Sequence, residues 1–177
     1  MPNTAFSNSE AYVFIKNNTS FQELLFELEP LLVSVKDFET AAIKKGYDKH
    51  IKGGKYVLTK DLNNHEIVNV LRVKNTPVKL VFNNQERLED LAGRVAKQID
   101  ADSLSLINAF RDSLFLKTNG FTKQNALAMY LPNSYQVFWN TTPENFRARM
   151  LKEYQRFWNT ERLDLAKKIN LTPQEVS

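Results

Sequence analysis

The stretch LPNSYQVFWN, residues 131–140, holds the side chains best suited to bind a ligand. Tyr135 and Trp139 lie beside a proline–asparagine kink, and amphipathic aromatic rings of this kind form platforms for the faces of sugars. Asn133 adds a carboxamide, which gives directional hydrogen bonds. These three residues are the glycan-binding candidates, although the residues alone favour the simpler interpretation that the aromatic side chains pack in a core beside a turn.

Several other kinds of site find no support in the sequence. There is no Gly-rich phosphate loop, no G-x-S-x-G, no H-E-x-x-H and no paired-carboxylate signature. The absence of cysteine excludes disulfides, thiol catalysis and cysteine-ligated metals. His50 and His65 have no partner at metal-ligand spacing and are predicted to be surface residues. We therefore expect neither a metal nor a cofactor.

The charge pattern gives little support for a nucleic-acid partner. The formal net charge is +4, but Lys and Arg alternate with Asp and Glu along most of the chain, which is typical of a soluble surface. The segment RLDLAKKINLTPQEV resembles the first half of a helix-turn-helix without its recognition helix. A DNA-binding or phage-type structural protein is therefore the weakest interpretation. No apolar run approaches the length of a membrane span.

The first half of the chain has the signals of a small βααβ unit. YVFI at 12–15 predicts a strand, and Ser20 with Glu23 predicts a capping box for the helix that follows. A second helix is predicted to close at Gly46, and residues 50–58 turn through two glycines into another strand. This order resembles a LysM-like module, and a further capped helix follows it.

The second half predicts one more strand, at 76–82, and then mostly helices. Two amphipathic stripes are predicted there, with the apolar positions Leu88, Leu91, Ala92, Val95 and Ile99 in one and Leu104, Ile107, Phe110 and Leu114 in the other. Thr142 and Pro143 open a long helix, and Thr172 with Glu175 forms a capping box close to the end. The predicted fold class is α+β.

Three stretches, taken in order, resemble the endolytic murein transglycosylases, the YceG-like or MltG family, in the form typical of Bacteroidetes. They are IKGGKYVLTKDLNNHEIVNVLR, TPVKLVFNNQERLEDLAGRVAKQIDADS and LPNSYQVFWNTTPENFRARMLKEYQRFWNTERLDLAKKINLTPQEV. The last is similar to the family's P-[ND]-[ST]-Y element, aromatic helix and L-T-x-x-E-V step. The similarity covers nearly the whole chain, from residue 12 to residue 177.

The resemblance implies a membrane-anchored lyase that cleaves nascent peptidoglycan strands internally, leaves 1,6-anhydro-N-acetylmuramoyl ends and limits strand length. A single carboxylic acid protonates the glycosidic oxygen and then acts as base while the sugar's own 6-hydroxyl attacks, unlike the two-carboxylate glycosidases. The family's acid is a Glu in a helix directly after the L-T-x-x-E-V step. That helix would begin at Thr172, so we expect the catalytic residue to lie beyond Ser177 and this chain to be inactive.

The resemblance also implies a domain organisation. Residues 1–11 are expected to be disordered or to be the artificial start of an excised piece. Residues 12–75 form the LysM-like module with its following helix, and residues 76–177 form the N-terminal part of the YceG-like catalytic domain, cut short. The implied location is the periplasmic face of the inner membrane, with the single-pass anchor absent from this chain.

The expected partners are peptidoglycan glycan strands and the cell-wall synthesis machinery, with no nucleic acid. Family members are sometimes called aminodeoxychorismate lyases, but the chain has no lysine context or phosphate cup for pyridoxal phosphate. Asn83, Asn84 and Gln85 stand where many members have Pro-Glu-Gly, and no role is assigned to them. The main alternative from another class is a non-catalytic glycan-binding module with the same fold.

Overall fold

The computed structural model describes residues 1–176, apart from the side chain of Thr160, and it confirms the α+β class. The chain divides into two compact units. Unit 1 comprises residues 1–78 with 138–140, and unit 2 comprises residues 79–137 with the chain from 141 onward. Within the described residues, no helix combines the length and the apolar character that crossing a membrane requires.

Unit 1 is built on an antiparallel hairpin of β1 (Glu10–Ile15) and β2 (Gly54–Thr59). Glu10 lies opposite Thr59, and Ile15 lies opposite Gly54. Side chains alternate between the two faces of a strand, so Val13 and Ile15 point inward and are buried. The outward positions that alternate with them hold the aromatic residues Tyr12 and Phe14.

Two helices lie between the strands, which is the predicted βααβ order, and a third follows β2. All three share one core with the inner face of the hairpin. Ser20 and Glu23 form the predicted capping box, and Asn63 with Glu66 forms a second one. Such a cap satisfies backbone N–H groups that have no partner inside the helix, so these side chains fix where each helix begins. The helices are α1 (Phe21–Leu28), α2 (Val35–Lys44) and α3 (Asn64–Val73). The core includes Leu24, Leu28, Phe38, Tyr47, Tyr56, Leu58, Ile67 and Leu71.

A short segment from much later in the chain completes unit 1. Asn140 donates its side-chain amide to Asn17 Oδ1 at 3.0 Å, and Asn17 returns a hydrogen bond to the Asn140 carbonyl at 2.9 Å. Asn75 donates to Asn140 Oδ1 at 3.1 Å. The Asn75 side chain lies so close to Gly54 that a Cβ there would come within 2.3 Å of its Oδ1. Glycine is therefore required where β2 begins.

The start of the chain is held by Asn3, the one polar residue that is buried among those whose burial is described. Its amide donates to the Ser34 carbonyl at 2.8 Å and to Asn64 Oδ1 at 2.6 Å. The Asn3 side-chain oxygen accepts from the Ser34 N–H at 2.7 Å. The disorder expected for residues 1–11 therefore differs from the structure, because the sequence gives no local signal for these long-range bonds.

We predict that Asn3→Ala lowers the free energy of unfolding by about 2–3 kcal/mol, because it leaves buried donors and acceptors without partners. Urea denaturation followed by circular dichroism measures this loss. Asn8→Ala is the matched control, since Asn8 is exposed and makes no side-chain hydrogen bond with a described residue. Equal stability of the two variants would show that the Asn3 contacts contribute nothing.

Unit 2 consists of one strand pair and six helices among the residues that the structure describes. The strand β3 (Val78–Phe82) begins at the boundary with unit 1 and pairs with β4 (Asn133–Val137). A 3-10 turn at Ala126–Met129 precedes β4. The helices are α4 (Leu88–Ala96), α5 (Ser103–Phe110), α6 (Ser113–Thr118), α7 (Pro143–Phe157), α8 (Thr160–Lys168) and α9 (Pro173–Val176).

The second predicted stripe of unit 2 is partly wrong. Leu104 and Leu114 are 68% and 76% exposed, although both were expected to face the core. The helix α5 ends at Phe110, and Asp112 accepts the backbone N–H of Phe115 at 3.1 Å to begin α6. A single helical period cannot run through that break. The inward side chains of α5 are Leu106, Ala109 and Phe110.

The long helix α7 begins as predicted, with Thr142 accepting the N–H of Asn145 and Pro143 in the first turn. Its buried side chains are Phe146, Met150 and Tyr154. The Tyr154 hydroxyl is enclosed and has no hydrogen-bond partner among the described residues. Burial raises the pKa of Tyr154 to about 12.

This raised pKa predicts a stability loss at alkaline pH. The folded state keeps the phenol proton more tightly than the unfolded state, so the stabilisation is complete below the ordinary tyrosine pKa of 10.0 and is lost as pH rises toward about 12. Tyr154→Phe should be as stable as the wild type at neutral pH and should lose less stability above pH 10. Denaturant titrations across this range test this expectation, and parallel pH curves would contradict it.

Candidate functional site

Two of the three residues expected to bind glycan lie in unit 2, and one of them is a core residue. The Tyr135 ring is 6% exposed and stacks on Phe82 with 5.7 Å between the ring centroids. Its hydroxyl donates to the Leu131 carbonyl at 2.5 Å. Burial also raises the pKa of Tyr135. This side chain has no free face for a sugar, so its glycan role is corrected to core packing. Asn133 is exposed, and its Oδ1 accepts the N–H of Ser134 at 2.8 Å.

The third candidate, Trp139, belongs to unit 1. Its ring is half-buried and packs on Phe14 with 5.1 Å between the centroids. The predicted platform of Asn133, Tyr135 and Trp139 is therefore not formed within either unit. Glycan binding by Asn133 and glycan binding by Trp139 stay predictions, each for its own unit.

We predict that Tyr135→Ala lowers the free energy of unfolding by about 3–5 kcal/mol, because it removes a large buried ring. Tyr135→Phe keeps the ring and should cost about 1 kcal/mol for the lost hydrogen bond. Thermal and denaturant unfolding measure both values. A fully stable Tyr135→Ala protein would contradict the core role and would restore this ring as a binding candidate.

A cleft of about 590 Å³ in unit 2 lies where β3 ends. Four parts of unit 2 form it: the end of β3 with the turn after it, Leu91 of α4, the stretch from Gln124 to Pro132, and α9. Its floor consists of the buried or half-buried apolar residues Phe82, Leu91, Leu127, Ala128, Tyr130 and Leu131, and the exposed Pro132 and Val176 also line it. Its polar side chains are all carboxamides, from Asn83, Asn84, Gln85, Gln124, Asn125 and Gln174.

Local hydrogen bonds hold several of these carboxamides in place. Gln85 donates to Asn83 Oδ1 at 2.7 Å within the turn after β3. Asn125 accepts the N–H of Thr122 at 2.7 Å, immediately before the 3-10 turn. Gln174 donates to the Gly120 carbonyl at 3.4 Å. The rim is therefore largely positioned before any ligand arrives.

The predicted capping box near the end of the chain is present and helps to build this cleft. The Glu175 carboxylate accepts the N–H of Thr172 at 2.7 Å, and Thr172 Oγ1 accepts the N–H of Glu175 at 3.4 Å. These hydrogen bonds hold the pKa of Glu175 below its usual value. The box forms the turn that carries Gln174 and Val176 into the lining.

The cleft is suited to an uncharged, hydroxyl-rich or amide-bearing ligand. Its lining contains no ionisable acid or base apart from the Tyr130 phenol, whose pKa is raised by burial. Asn84 and Gln124 make no side-chain hydrogen bond with any described residue, so their donors and acceptors are free to bind. Carboxamides that alternate donor and acceptor groups above an apolar floor match the edges and faces of a sugar ring.

The described residues do not place a general acid in this cleft. A carboxyl group that protonates a glycosidic oxygen usually needs burial to raise its pKa. Hydrogen bonds to backbone N–H groups instead lower the pKa of Asp102 and Asp112, which cap α5 and α6. Glu153 is engaged by Arg149 at 2.9 Å and by Arg156 at 3.5 Å. No metal-binding cluster of His, Asp and Glu occurs within residues 1–176.

Sequence reasoning missed this cleft because its segments are far apart in the chain. The sequence assigns no role to Asn83, Asn84 and Gln85, since they depart from the Pro-Glu-Gly found in many members of the family that the chain resembles. The sequence carries only a weak signal of the cleft. Carboxamide residues recur after β3, before the 3-10 turn and in the last helix, and no charged residue joins them in the lining.

Comparisons with known proteins agree with this α+β fold. The model of the YceG-like family matches residues 13–177, and the chain belongs to the YceG-like family. A crystal structure of a yceG-like protein from Listeria monocytogenes is similar in fold, with a TM-score of 0.50 and 20% sequence identity. The similarity covers 94% of this chain but only 61% of the Listeria chain. No curated protein matches.

Proposed function

We propose that this chain is the glycan-binding part of an endolytic lytic transglycosylase that acts on nascent peptidoglycan. Family membership suggests a cell-envelope protein, and the proposed location is the periplasmic face of the inner membrane. The whole protein would cleave strands to 1,6-anhydro-N-acetylmuramoyl ends and so limit their length. Residues 12–75 are proposed as the LysM-like module, and the chain from 76 onward as part of the catalytic domain.

The observation that carries this proposal is the neutral cleft with its rim of carboxamides. Peptidoglycan strands consist of N-acetylated sugars, whose hydroxyl and acetamido groups both donate and accept hydrogen bonds. Asn84 and Gln124 offer the complementary groups, and the apolar floor offers contact to the ring faces. The absence of charge in the rim favours a sugar over a phosphate or a peptide carboxylate.

The lining of the cleft supports binding rather than bond cleavage by this chain. Lytic transglycosylation needs a carboxylic acid within hydrogen-bond reach of the glycosidic oxygen. The cleft lining contains no Asp or Glu. We therefore expect the 177-residue chain to bind glycan strands without releasing anhydromuropeptides. Release of such products by the purified chain from sacculi would overturn this part of the proposal.

The binding prediction is tested with chitooligosaccharides and with purified sacculi. Asn84→Ala and Gln124→Ala should each weaken binding about fivefold to tenfold, because each removes hydrogen bonds to an uncharged ligand. Isothermal titration calorimetry measures the affinity for the oligosaccharides, and sedimentation measures retention on sacculi. Gln155→Ala is the matched control, since Gln155 is exposed on α7 and lies outside the cleft.

The salt dependence of binding separates this proposal from a nucleic-acid function. A neutral ligand in an uncharged cleft should bind equally well in low and high salt, whereas binding to phosphates weakens steeply as salt rises. Equal loss in Asn84→Ala and Gln155→Ala would contradict the cleft assignment. Binding to duplex DNA that weakens as salt rises would favour a DNA-binding protein instead.

A further inference from the structure

The outer face of the hairpin in unit 1 is aromatic where a solvent-facing strand would be polar. Tyr12 and Phe14 are 55% and 44% exposed and lie two positions apart, on the same side of β1. Antiparallel sheets with one buried face usually carry polar residues on the other. The inner face already supplies the core of unit 1, so these two rings are not needed to close it.

A second pair of rings extends this surface. Trp139 packs on Phe14 at 5.1 Å between the centroids, and its neighbour Phe138 is 48% exposed. The paired hydrogen bonds of Asn17 and Asn140 fix this segment against unit 1. We call Tyr12, Phe14, Phe138 and Trp139 the aromatic face. Three of its four rings are exposed, and the ring of Trp139 is half-buried against Phe14.

Two lysines accompany the aromatic face. The Lys55 ammonium lies 4.7 Å from the centroid of the Tyr12 ring, and Lys55 pairs across the hairpin with Phe14. Lys16 follows β1 directly and is exposed. Neither ammonium forms an ion pair with any residue in the part of the chain that the structure describes. Glu10 lies at the opposite end of β1, whereas Glu23 and Glu27 of α1 line the same small cleft as Phe14 and Lys16. The two lysines are therefore the cations of the face itself, and the carboxylates lie beside it on α1.

We propose that the aromatic face rests on the surface of an anionic lipid bilayer. Tyrosine and tryptophan are enriched at membrane interfaces, where one part of the ring is apolar and the other is hydrated. Phe14 and Phe138 would enter the upper acyl region, while Lys16 and Lys55 reach the anionic headgroups. The proposal rests on the cell-envelope setting that family membership suggests, and it does not depend on glycan binding in unit 2.

The chemistry of the face favours lipid over sugar. Two of its four rings are phenylalanines, which offer no polar group to hydroxyls, and its flanking polar groups include two unpaired cations. The cleft of unit 2 has the opposite character, with carboxamides and no charge. A dimer formed through the aromatic face would bring the unpaired lysines of both copies near one interface, where they would repel each other.

The test is sedimentation of the 177-residue chain with vesicles of phosphatidylcholine alone or mixed with phosphatidylglycerol. We expect binding to the mixed vesicles and at least tenfold weaker binding to phosphatidylcholine. Phe14→Ser should weaken binding about tenfold, and Lys16→Ala about fivefold. Phe26→Ser and Lys36→Ala are the matched controls, because both residues are exposed on helices and neither belongs to the aromatic face. Neither control should change binding.

Tryptophan fluorescence gives a second, independent readout. The chain has two tryptophans, and Trp158 is buried in unit 2, so Trp158→Phe leaves Trp139 as the reporter. Mixed vesicles should shift its emission to shorter wavelength, and brominated lipids should quench it. Circular dichroism checks that each variant is folded, and Tyr12→Ser replaces Phe14→Ser should the latter fail that check.

Several outcomes would overturn the proposal. Among them are an absence of sedimentation with mixed vesicles, or an equal loss in Phe14→Ser and Phe26→Ser. A Trp139 emission shift with chitooligosaccharides but not with vesicles would make the face a sugar-binding surface. A dimer in solution that Phe14→Ser dissociates would make it an interface between copies. Asn84→Ala should lose glycan binding and keep vesicle binding. The glycan proposal and the membrane proposal can therefore fail separately.

Discussion

The unpaired N–H groups at the start of each helix are the constraint on which this structure depends. Most of its helices are too short to be stable alone, because the free-energy cost of helix nucleation is offset only over roughly 12–15 residues. Side chains therefore accept these N–H groups at nearly every start. The caps are Ser20, Ser34, Asn63, Asp102, Asp112, Thr142, Asn159 and Thr172. Only tertiary packing adds enough stability for helices of this length to persist.

This constraint explains which parts of the fold the sequence could predict. Capping boxes are local, so the starts of α1 and α9 were recognisable from four residues each. The break between α5 and α6 was missed because the apolar period was extended across Asp112, although that residue is itself a good cap. The burial of Tyr135 depends on its ring contact with Phe82 of the neighbouring strand β3, which lies in a distant part of the chain.

The candidate site shows the same limit more strongly. Its rim comes from the turn after β3, from the stretch before β4 and from α9, and only the folded chain brings these together. Carboxamides carry no charge and no motif, so their convergence leaves little trace in sequence. The aromatic face was equally hidden, because Phe14 and Trp139 are separated by more than a hundred positions in the chain.

The discontinuity of unit 1 has a consequence for how the protein is made. Asn17 finds its partner Asn140 at a sequence separation of 123 positions. A ribosome adds about 5–20 residues per second, so β1 is synthesised several seconds before the segment that packs against it. During that time most of unit 2 is synthesised, and Phe14 of the hairpin has no contact with Trp139. The earliest strand of the chain is among the last to acquire its full set of neighbours.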